Sequence, residues 1–117
     1  MPHKVKKRDG SVVPFKKEKI RYAIERAAYE VLQDKAESAE VVASVTETVA
    51  EVLASRYGEG VPEVEAIQDT VEEALMDAGY AEIARAYILY RQRRAEIRMT
   101  KSALGHKDDL KLPLNTM

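Results

Sequence analysis

Residues 5–20, with the sequence VKKRDGSVVPFKKEKI, concentrate positive charge in a way that suits anion binding. The segment contains six lysines and arginines but only two carboxylates. Because like charges repel, such a cluster does not by itself stabilise a fold. Beside a helix N-terminus, where backbone N–H groups lack partners, the same cluster can hold phosphate groups. The segment therefore predicts a binding site for a phosphorylated ligand, either a nucleotide or a nucleic-acid strand.

A β-hairpin followed by a helix is the predicted framework of this segment. The runs HKVKKR and SVVPF are β-prone, and Asp9-Gly10 between them is typical of a two-residue turn in which both central residues have φ > 0. Alternation along a strand sends Lys7 to the opposite side from Lys6 and Arg8. We therefore expect the turn and the next helix, rather than one flat strand, to gather a subset of the cations.

Three apolar residues, Val5, Phe15 and Ile20, lie close in sequence to these cations. They could form an apolar slot that accepts a nucleobase while the cations hold its phosphates. A nucleic-acid strand offers the same two features, so the pattern leaves both ligands open.

Four amphipathic helices are predicted after the hairpin, from apolar residues spaced three and four apart. The first begins at Lys16 and ends near Gln33, the second has Ser38 as its N-cap and stops at Gly58, and the third ends at Gly79. The fourth covers YAEIARAYILYRQRRAEIR. The predicted fold class is mainly α, within α+β: an N-terminal β-hairpin that caps a four-helix bundle. The residues expected to lie in or near the core are Ile20, Ile24, Ala27, Val31, Val42, Val45, Val49, Val52, Leu53, Val64, Ile67, Val71, Leu75, Ile83, Tyr87, Tyr90 and Ile97.

The composition favours one globular domain and argues against catalysis. The chain has 117 residues, of which 45% are hydrophobic and 33% charged, and it has no cysteine, which excludes disulfides, thiolate zinc sites and thiol chemistry. No Gly-rich phosphate loop and no nucleophile with its base can be recognised. His3 and His106 are too isolated for a metal site. No apolar run is long enough for a membrane span, so we expect a cytoplasmic protein. Because it has neither cysteine nor a recognisable catalytic motif, we also expect that the chain is not an enzyme by itself.

A net positive charge is found only at the two ends of the chain. Residues 1–26 hold nine Lys/Arg against three Asp/Glu, a net charge of +6, and residues 80–117 hold eight against four, a net charge of +4. Residues 27–79 hold two against thirteen, a net charge of −11. An anionic partner is therefore expected to meet the ends. Four cations near the predicted end of helix 4 would also suit the negative end of its dipole: Arg91, Arg93, Arg94 and Arg98.

The last part of the chain, residues 99–117, differs from the rest. It contains Gly105 and Pro113 and shows no helical periodicity. We therefore predict a folded domain over residues 3–98 and a linker over residues 99–117 that leads to a further domain.

Two blocks of the sequence resemble a known family. The segments VKKRDGSVVPFKKEKIRYAIERAAYEV and AYILYRQRRAEIR are similar to the ATP-cone, an allosteric nucleotide-binding domain found in ribonucleotide reductases and in the bacterial repressor of their genes. The resemblance covers residues 3–98. It implies that ATP or dATP, with Mg²⁺, binds between the hairpin and the bundle as an allosteric effector.

The resemblance also implies roles for individual residues. Val5, Phe15 and Ile20 would line the adenine pocket, and Lys16 would stand where an adenine-contacting residue begins helix 1. Glu63 replaces a Thr that many cones carry near the nucleotide, and Val13 replaces a Glu found in some; both changes bear on affinity and selectivity. The cations of the implied site are Lys6, Lys7, Arg8, Lys19 and Arg93, of which the last four would hold the phosphates.

In the family, ATP permits the activity of the reductase and dATP suppresses it, commonly by changing how subunits assemble. The implied partners are therefore a catalytic reductase domain or subunit and other cones, with no membrane and no nucleic acid. The repressor is not expected, because its zinc ribbon needs four cysteines ahead of the cone. Two alternatives remain: a stand-alone nucleic-acid-binding module, whose binding would depend steeply on salt, and a helical bundle without a ligand, which ATP would not stabilise.

Overall fold

A hairpin and four helices make up the part of the chain that the computed structural model describes, residues 2–104, with side chains described through residue 100. This arrangement confirms the predicted fold class. The elements follow in the order β1 (Lys4–Lys6), β2 (Val12–Pro14), α1 (Lys17–Leu32), α2 (Lys35–Tyr57), α3 (Val64–Asp77) and α4 (Ala81–Leu104).

The four helices enclose one apolar core. Helix α1 packs against α2 and α4, and α3 packs against the same two helices. Most of the predicted core residues are buried, and Ile24, Val49, Leu53 and Leu75 have no exposed surface. Ile97, in contrast, is 46% exposed, so the buried face of α4 ends before it. Four of the predicted residues are only half-buried: Val31, Val52, Val64 and Tyr90.

The turn of the hairpin differs from the prediction. The strands pair antiparallel, with Val5 opposite Val13. Beyond them the Lys7 N–H donates to the Ser11 carbonyl (2.8 Å) and the Gly10 N–H donates to the Lys7 carbonyl (2.9 Å). Within the hairpin loop only Gly10 has a positive φ, 91°, so the loop has three residues, as in a type I turn closed by a left-handed glycine. The prediction of a two-residue turn was wrong.

Helix α2 begins earlier than predicted. Its N-cap is Asp34, whose side chain accepts a hydrogen bond from the Glu37 N–H at 2.9 Å. Ser38 was predicted as the cap, but it is buried within the first turn, and its own N–H donates to the Asp34 carbonyl. An aspartate followed three residues later by a glutamate is a capping signature, and Asp34 therefore starts the helix one turn before Ser38.

The two predicted glycine stops are confirmed. Gly58 is the C-cap of α2. After α3, the Gly79 N–H donates to the Met76 carbonyl and the Tyr80 N–H donates to the Leu75 carbonyl, which is the Schellman pattern. Gly79 adopts a φ of 90°, a value that a side chain would disfavour. This turn reverses the chain so that α4 can pack against α3.

Helix α4 is longer than predicted. It continues to Leu104, six residues beyond the expected end at residue 98, so the first six residues of the predicted linker are helical. The next residue, Gly105, lies with the rest of the predicted tail outside the described residues. Among residues 2–104, no helix has both the length and the apolar character needed to cross a membrane.

Candidate functional site

The hairpin is fixed to the bundle through its first strand. The Lys6 N–H donates to the Pro62 carbonyl at 2.9 Å, and Lys6 forms an isolated parallel bridge with Glu63. Pro62 is buried, so this anchor point lies in a well-packed segment. As a result, the three-residue loop of the hairpin lies beside the start of α3.

A cavity of about 450 Å³ separates the hairpin loop from the N-terminus of α3. Its size falls within the range of about 300–1,000 Å³ that is typical of small-molecule sites. Its lining consists of two runs of consecutive residues, Lys6 to Gly10 from the hairpin and Glu63 to Glu65 from α3. The cavity therefore brings together three of the predicted site residues, Lys6, Lys7 and Arg8.

The structure corrects one step of the strand argument. Alternation would separate Lys7 from Lys6 and Arg8, but β1 ends at Lys6. Lys7 and Arg8 lie beyond the end of the strand, where its two-residue period no longer applies. All three residues can consequently line one cavity.

The charges around the cavity are balanced. Three cations face three carboxylates, those of Asp9, Glu63 and Glu65. The Arg8 Nε donates to Glu65 Oε2 at 2.8 Å, with both side chains well exposed. The Asp9 carboxylate instead accepts bonds from the hydroxyl and the N–H of Ser11, which lower the pKa of Asp9. The carboxylates thus offset much of the positive charge that the sequence places here.

The N-terminus of α3 adds a favourable feature for an anion. Glu63 is the N-cap, and its side chain makes no capping hydrogen bond. The Glu63 carbonyl accepts from the Ile67 N–H, so the N–H groups before Ile67 are those a helix leaves without intrahelical partners. Val64 and Glu65, which carry two of these groups, line the cavity. A phosphate would be favoured there by the N–H groups and by the positive end of the helix dipole.

The predicted apolar slot lies on the bundle side of the hairpin. Val5 and Phe15 are half-buried and pack against the hydrophobic core, to which Ile20 belongs. Val5 and Lys6 are neighbours in a strand and therefore point to opposite faces. The hairpin thus has an apolar face toward the helices and a charged loop at its tip.

A comparison with protein families shows which family the sequence of this chain matches. The model of the ATP cone domain matches residues 3–96 of the chain. The chain belongs to the ATP-cone family. The resemblance seen in the two sequence blocks is thereby confirmed.

Several curated reductases contain a segment similar to this cone. The chain is 47% identical over 113 residues to a vitamin B12-dependent ribonucleoside-diphosphate reductase of Mycobacterium tuberculosis, which covers 97% of the chain and 15% of the relative. It is 42% identical to the corresponding reductase of Thermoplasma acidophilum, over 100% of the chain and 15% of the relative. An anaerobic ribonucleoside-triphosphate reductase of Escherichia coli is 43% identical over 80% of the chain and 12% of its own length. The cone thus spans a small part of each of these relatives.

Three predicted site residues of the cone lie away from the cavity. Lys16 is the N-cap of α1 and makes no side-chain capping bond, and Lys19 lies in the first turn of that helix. Arg93 is exposed on α4. Within residues 2–100, none of the three side chains forms a hydrogen bond or ion pair, and none lines the cavity. Their assignment to the site remains a prediction.

Sequence reasoning missed the residues that connect α4 to the site. Arg91 forms ion pairs with Asp69 (3.0 Å) and Glu72 on α3, and only 19% of its side chain is exposed. Arg8 also reaches the seam between α3 and α4, because it lines a second cavity of about 310 Å³ together with Glu72 and Arg91. No local sequence signal connects residues so far apart, although the spacing of Asp69 and Glu72 does place both on one face of α3.

Proposed function

We propose that this cone binds ATP or dATP, together with Mg²⁺, and thereby regulates a ribonucleotide reductase allosterically. The observation that carries the proposal is the cavity at the N-terminus of α3, lined by Lys6, Lys7 and Arg8, in a chain of the ATP-cone family. Lysine, arginine and free backbone N–H groups are the usual ligands of phosphate in proteins.

In the proposed complex, the base and the phosphates contact different faces of the hairpin. The base lies against the apolar face, beside Val5, Phe15 and Ile20, and the phosphates reach Lys7 and Arg8 at the tip. The remaining cations of the proposed site, each to be tested separately, are Lys6, Lys16, Lys19 and Arg93.

The carboxylate of Glu63 gives Mg²⁺ a function in this proposal. Glu63 lines the cavity, and its side chain does not cap α3. A carboxylate beside phosphate is unfavourable unless a cation lies between them, and Mg²⁺ prefers oxygen ligands from carboxylates and phosphates. Glu63 would then help to hold the metal-bound triphosphate rather than repel it.

The regulated activity belongs to a part of the protein beyond this cone. The chain covers 12–15% of the length of the three reductases named above, and it has no cysteine. We therefore propose a catalytic reductase domain or subunit as the partner, with self-association through cones as the means of control. Such coupling requires ATP and dATP to bind two states of the protein with different affinities, a difference of about 1–3 kcal/mol.

Titration calorimetry with ATP and with dATP, each with Mg²⁺, tests the binding. Arg8→Ala should weaken ATP binding about tenfold or more, because a charge-assisted hydrogen bond to phosphate contributes about 1.5–3 kcal/mol. Arg85→Ala is the matched control, since Arg85 is exposed on α4 and lies outside the cavity. Equal losses in both variants would indicate general charge attraction, and no binding to the unmodified chain would overturn the proposal.

Two further measurements separate the components of the proposal. Sedimentation of the chain with saturating ATP and with dATP tests whether the two effectors favour different assemblies; identical distributions would remove control through cone self-association. Binding of a single-stranded oligonucleotide at rising salt tests the alternative ligand. Tight, steeply salt-dependent binding without any response to ATP would favour a nucleic-acid-binding module instead.

A further inference from the structure

Another cavity lies between α1 and the start of α2, away from the hairpin. It has a volume of about 620 Å³, which is within the range typical of small-molecule sites. Residues of α1 form one side, and residues from the first five positions of α2 form the other. The lining of this cavity and the lining of the hairpin cavity share no residue. The cavity is therefore separate from the proposed nucleotide site.

Two tyrosines of α1, Tyr22 and Tyr29, give the cavity an aromatic surface. They are 52% and 48% exposed, whereas the other aromatic side chains among residues 2–100 are buried or half-buried. Seven residues make nearly two helical turns, so the two tyrosines lie on one face of α1, about 10 Å apart along its axis. Two exposed rings at this spacing suit an aromatic ligand that lies along the helix.

Arg26 lies on the same face of α1, between the two tyrosines, and also lines the cavity. Its Nη1 donates to the Tyr22 hydroxyl at 3.1 Å, and its guanidinium group lies 5.8 Å from the ring centroid of Tyr22 and 6.0 Å from that of Tyr90. Within residues 2–100, Arg26 forms no ion pair. Because a guanidinium group has five N–H donors, these aromatic contacts hold Arg26 in place and leave most of its donors for a ligand.

The charges around this cavity leave an excess of positive charge. The lining has two cations, Arg26 and Lys35, and two carboxylates, Glu25 and Glu30. Glu25 pairs at 3.9 Å with Arg21, which lies outside the cavity. Two cations thus remain against one carboxylate, and Lys35 is the first residue of α2, where the helix dipole adds positive potential. The cavity therefore favours an anionic group.

Ser38 points to a hydrogen-bonding ligand independently of these charges. It lines the cavity from the first turn of α2 and is only 3% exposed. Among the described side chains and backbone groups, its hydroxyl has no hydrogen-bond partner. An unpaired buried hydroxyl is unfavourable, and a ligand that accepts a hydrogen bond from it would remove that cost.

We propose that this cavity binds a small aromatic anion, a ring system that carries one acidic group. The ring lies against Tyr22 and Tyr29, and the acidic group accepts hydrogen bonds from Arg26 and from the Ser38 hydroxyl. An aromatic carboxylate and an aromatic phosphate monoester share this chemistry, and the experiment distinguishes them. The inference does not depend on nucleotide binding at the hairpin.

Calorimetry and the amide signals in NMR spectra test the proposal with four probes: naphthoate, naphthyl phosphate, naphthol and inorganic phosphate. At least one of the two aromatic anions should shift the signals of Tyr22, Tyr29 and Ser38. It should bind about tenfold more tightly than naphthol, which lacks the charge-assisted hydrogen bond, and more tightly than inorganic phosphate, which lacks the ring. The anion that binds more tightly identifies the acidic group.

Each titration is repeated with ATP and Mg²⁺, which should not displace the aromatic anion. Displacement by ATP would place the probe in the hairpin cavity and overturn this inference. The absence of signal shifts at Tyr22, Tyr29 and Ser38 with millimolar naphthoate and naphthyl phosphate would overturn it as well. If the aromatic anion bound and ATP did not, the proposed function would fail and this inference would stand.

Three variants test the individual contacts. Arg26→Gln should weaken binding of the aromatic anion about tenfold and leave naphthol binding unchanged, because it removes only the charge-assisted hydrogen bond. Tyr29→Ala should weaken both probes, and Ser38→Ala should weaken the anion but raise the melting temperature of the unliganded chain. The matched control is Arg85→Gln, on an exposed part of α4 outside the cavity, which should match the unmodified chain. Equal losses in Arg26→Gln and Arg85→Gln would indicate general charge attraction and overturn the site.

Discussion

Arg91 and Arg8 bridge α3 to neighbouring elements in two different ways. Arg91 lies in the seam between α3 and α4, is 19% exposed and contacts two carboxylates. Arg8 lies at the hairpin tip, is 38% exposed and contacts one carboxylate, with the cations of α4 nearby. Charge is therefore fully paired where it joins two helices, and incompletely paired where an anionic ligand is proposed. The difference predicts that the seam contributes mainly to stability and that the proposed binding depends mainly on the hairpin tip.

The largest effect on the free energy of unfolding should come from a substitution in the core. Leu75 has no exposed surface, and Leu75→Ala should lower the free energy of unfolding by about 2–5 kcal/mol because it removes buried apolar groups and leaves a cavity. Met76→Ala is the control on the next residue, whose side chain is 58% exposed. Urea unfolding measures both variants. Similar losses in the two would contradict the described orientation of α3.

Arg91→Ala should have the next largest effect on stability. It leaves the half-buried Glu72 carboxylate without its partner, which costs about 1–3 kcal/mol of unfolding free energy. Arg8→Ala should cost less, because an exposed ion pair contributes about 0–1 kcal/mol. The order should reverse for ATP affinity, which Arg8→Ala lowers more. Urea unfolding and calorimetry measure both variants. If the same variant lost more unfolding free energy and more ATP affinity, the proposed difference between the seam and the hairpin tip would be contradicted.

A smaller effect is expected at the start of α2. Asp34→Ala removes the hydrogen bond from the Glu37 N–H and should lower the free energy of unfolding by about 1 kcal/mol. Asp34→Asn keeps an acceptor at the same position and should lose less. Because Asp34 lies far from the hairpin in sequence and belongs to the bundle, neither variant should change ATP affinity at a temperature well below unfolding. A change in ATP affinity would show that the start of α2 influences the proposed binding site.

Local rules predicted the helices well and the site only in part. Apolar spacing placed Ile24, Leu53 and Leu75 in the core because burial follows the helical period directly. The predicted start of α2 was wrong because Ser38 and Asp34 are both good capping residues, and only Asp34 has a glutamate three residues later. The end of α4 was placed too early, although no glycine or proline interrupts the helix before Gly105.

The charges around the site were harder to predict, for a physical reason. The cations of the hairpin could be read from a short segment, and three of them do line one cavity. The carboxylate of Glu65, 57 residues from Arg8, is brought there by the pairing of Lys6 with Pro62 and Glu63. Helical spacing places Arg98 on nearly the same face of α4 as Arg91. Only the packing of α4 against α3 shows that Arg91 forms ion pairs with Asp69 and Glu72.

The smallest effect on stability should come with an informative change in binding, at the ion pair between Arg8 and Glu65. In the unliganded cone this pair is exposed, so Glu65→Gln should change the free energy of unfolding by less than about 1 kcal/mol. A bound phosphate must compete with Glu65 for Arg8, and removing the carboxylate removes that competition and one repelling charge from the cavity. ATP affinity should therefore rise, by up to about fivefold if the pair contributes about 1 kcal/mol.

The matched control for this prediction is Glu73→Gln. Glu73 pairs with Arg56 at 3.2 Å and is as exposed as Glu65, but its pair lies between α2 and α3, outside the cavity. The two variants should lose similar, small amounts of stability in urea unfolding, and only Glu65→Gln should bind ATP more tightly in calorimetry. Weaker ATP binding by Glu65→Gln would mean that this carboxylate positions Arg8 for the ligand instead of competing with it. The incomplete charge pairing at the hairpin tip would then be a means of orienting a phosphate-binding residue, and the comparison with Arg91 would have to be revised.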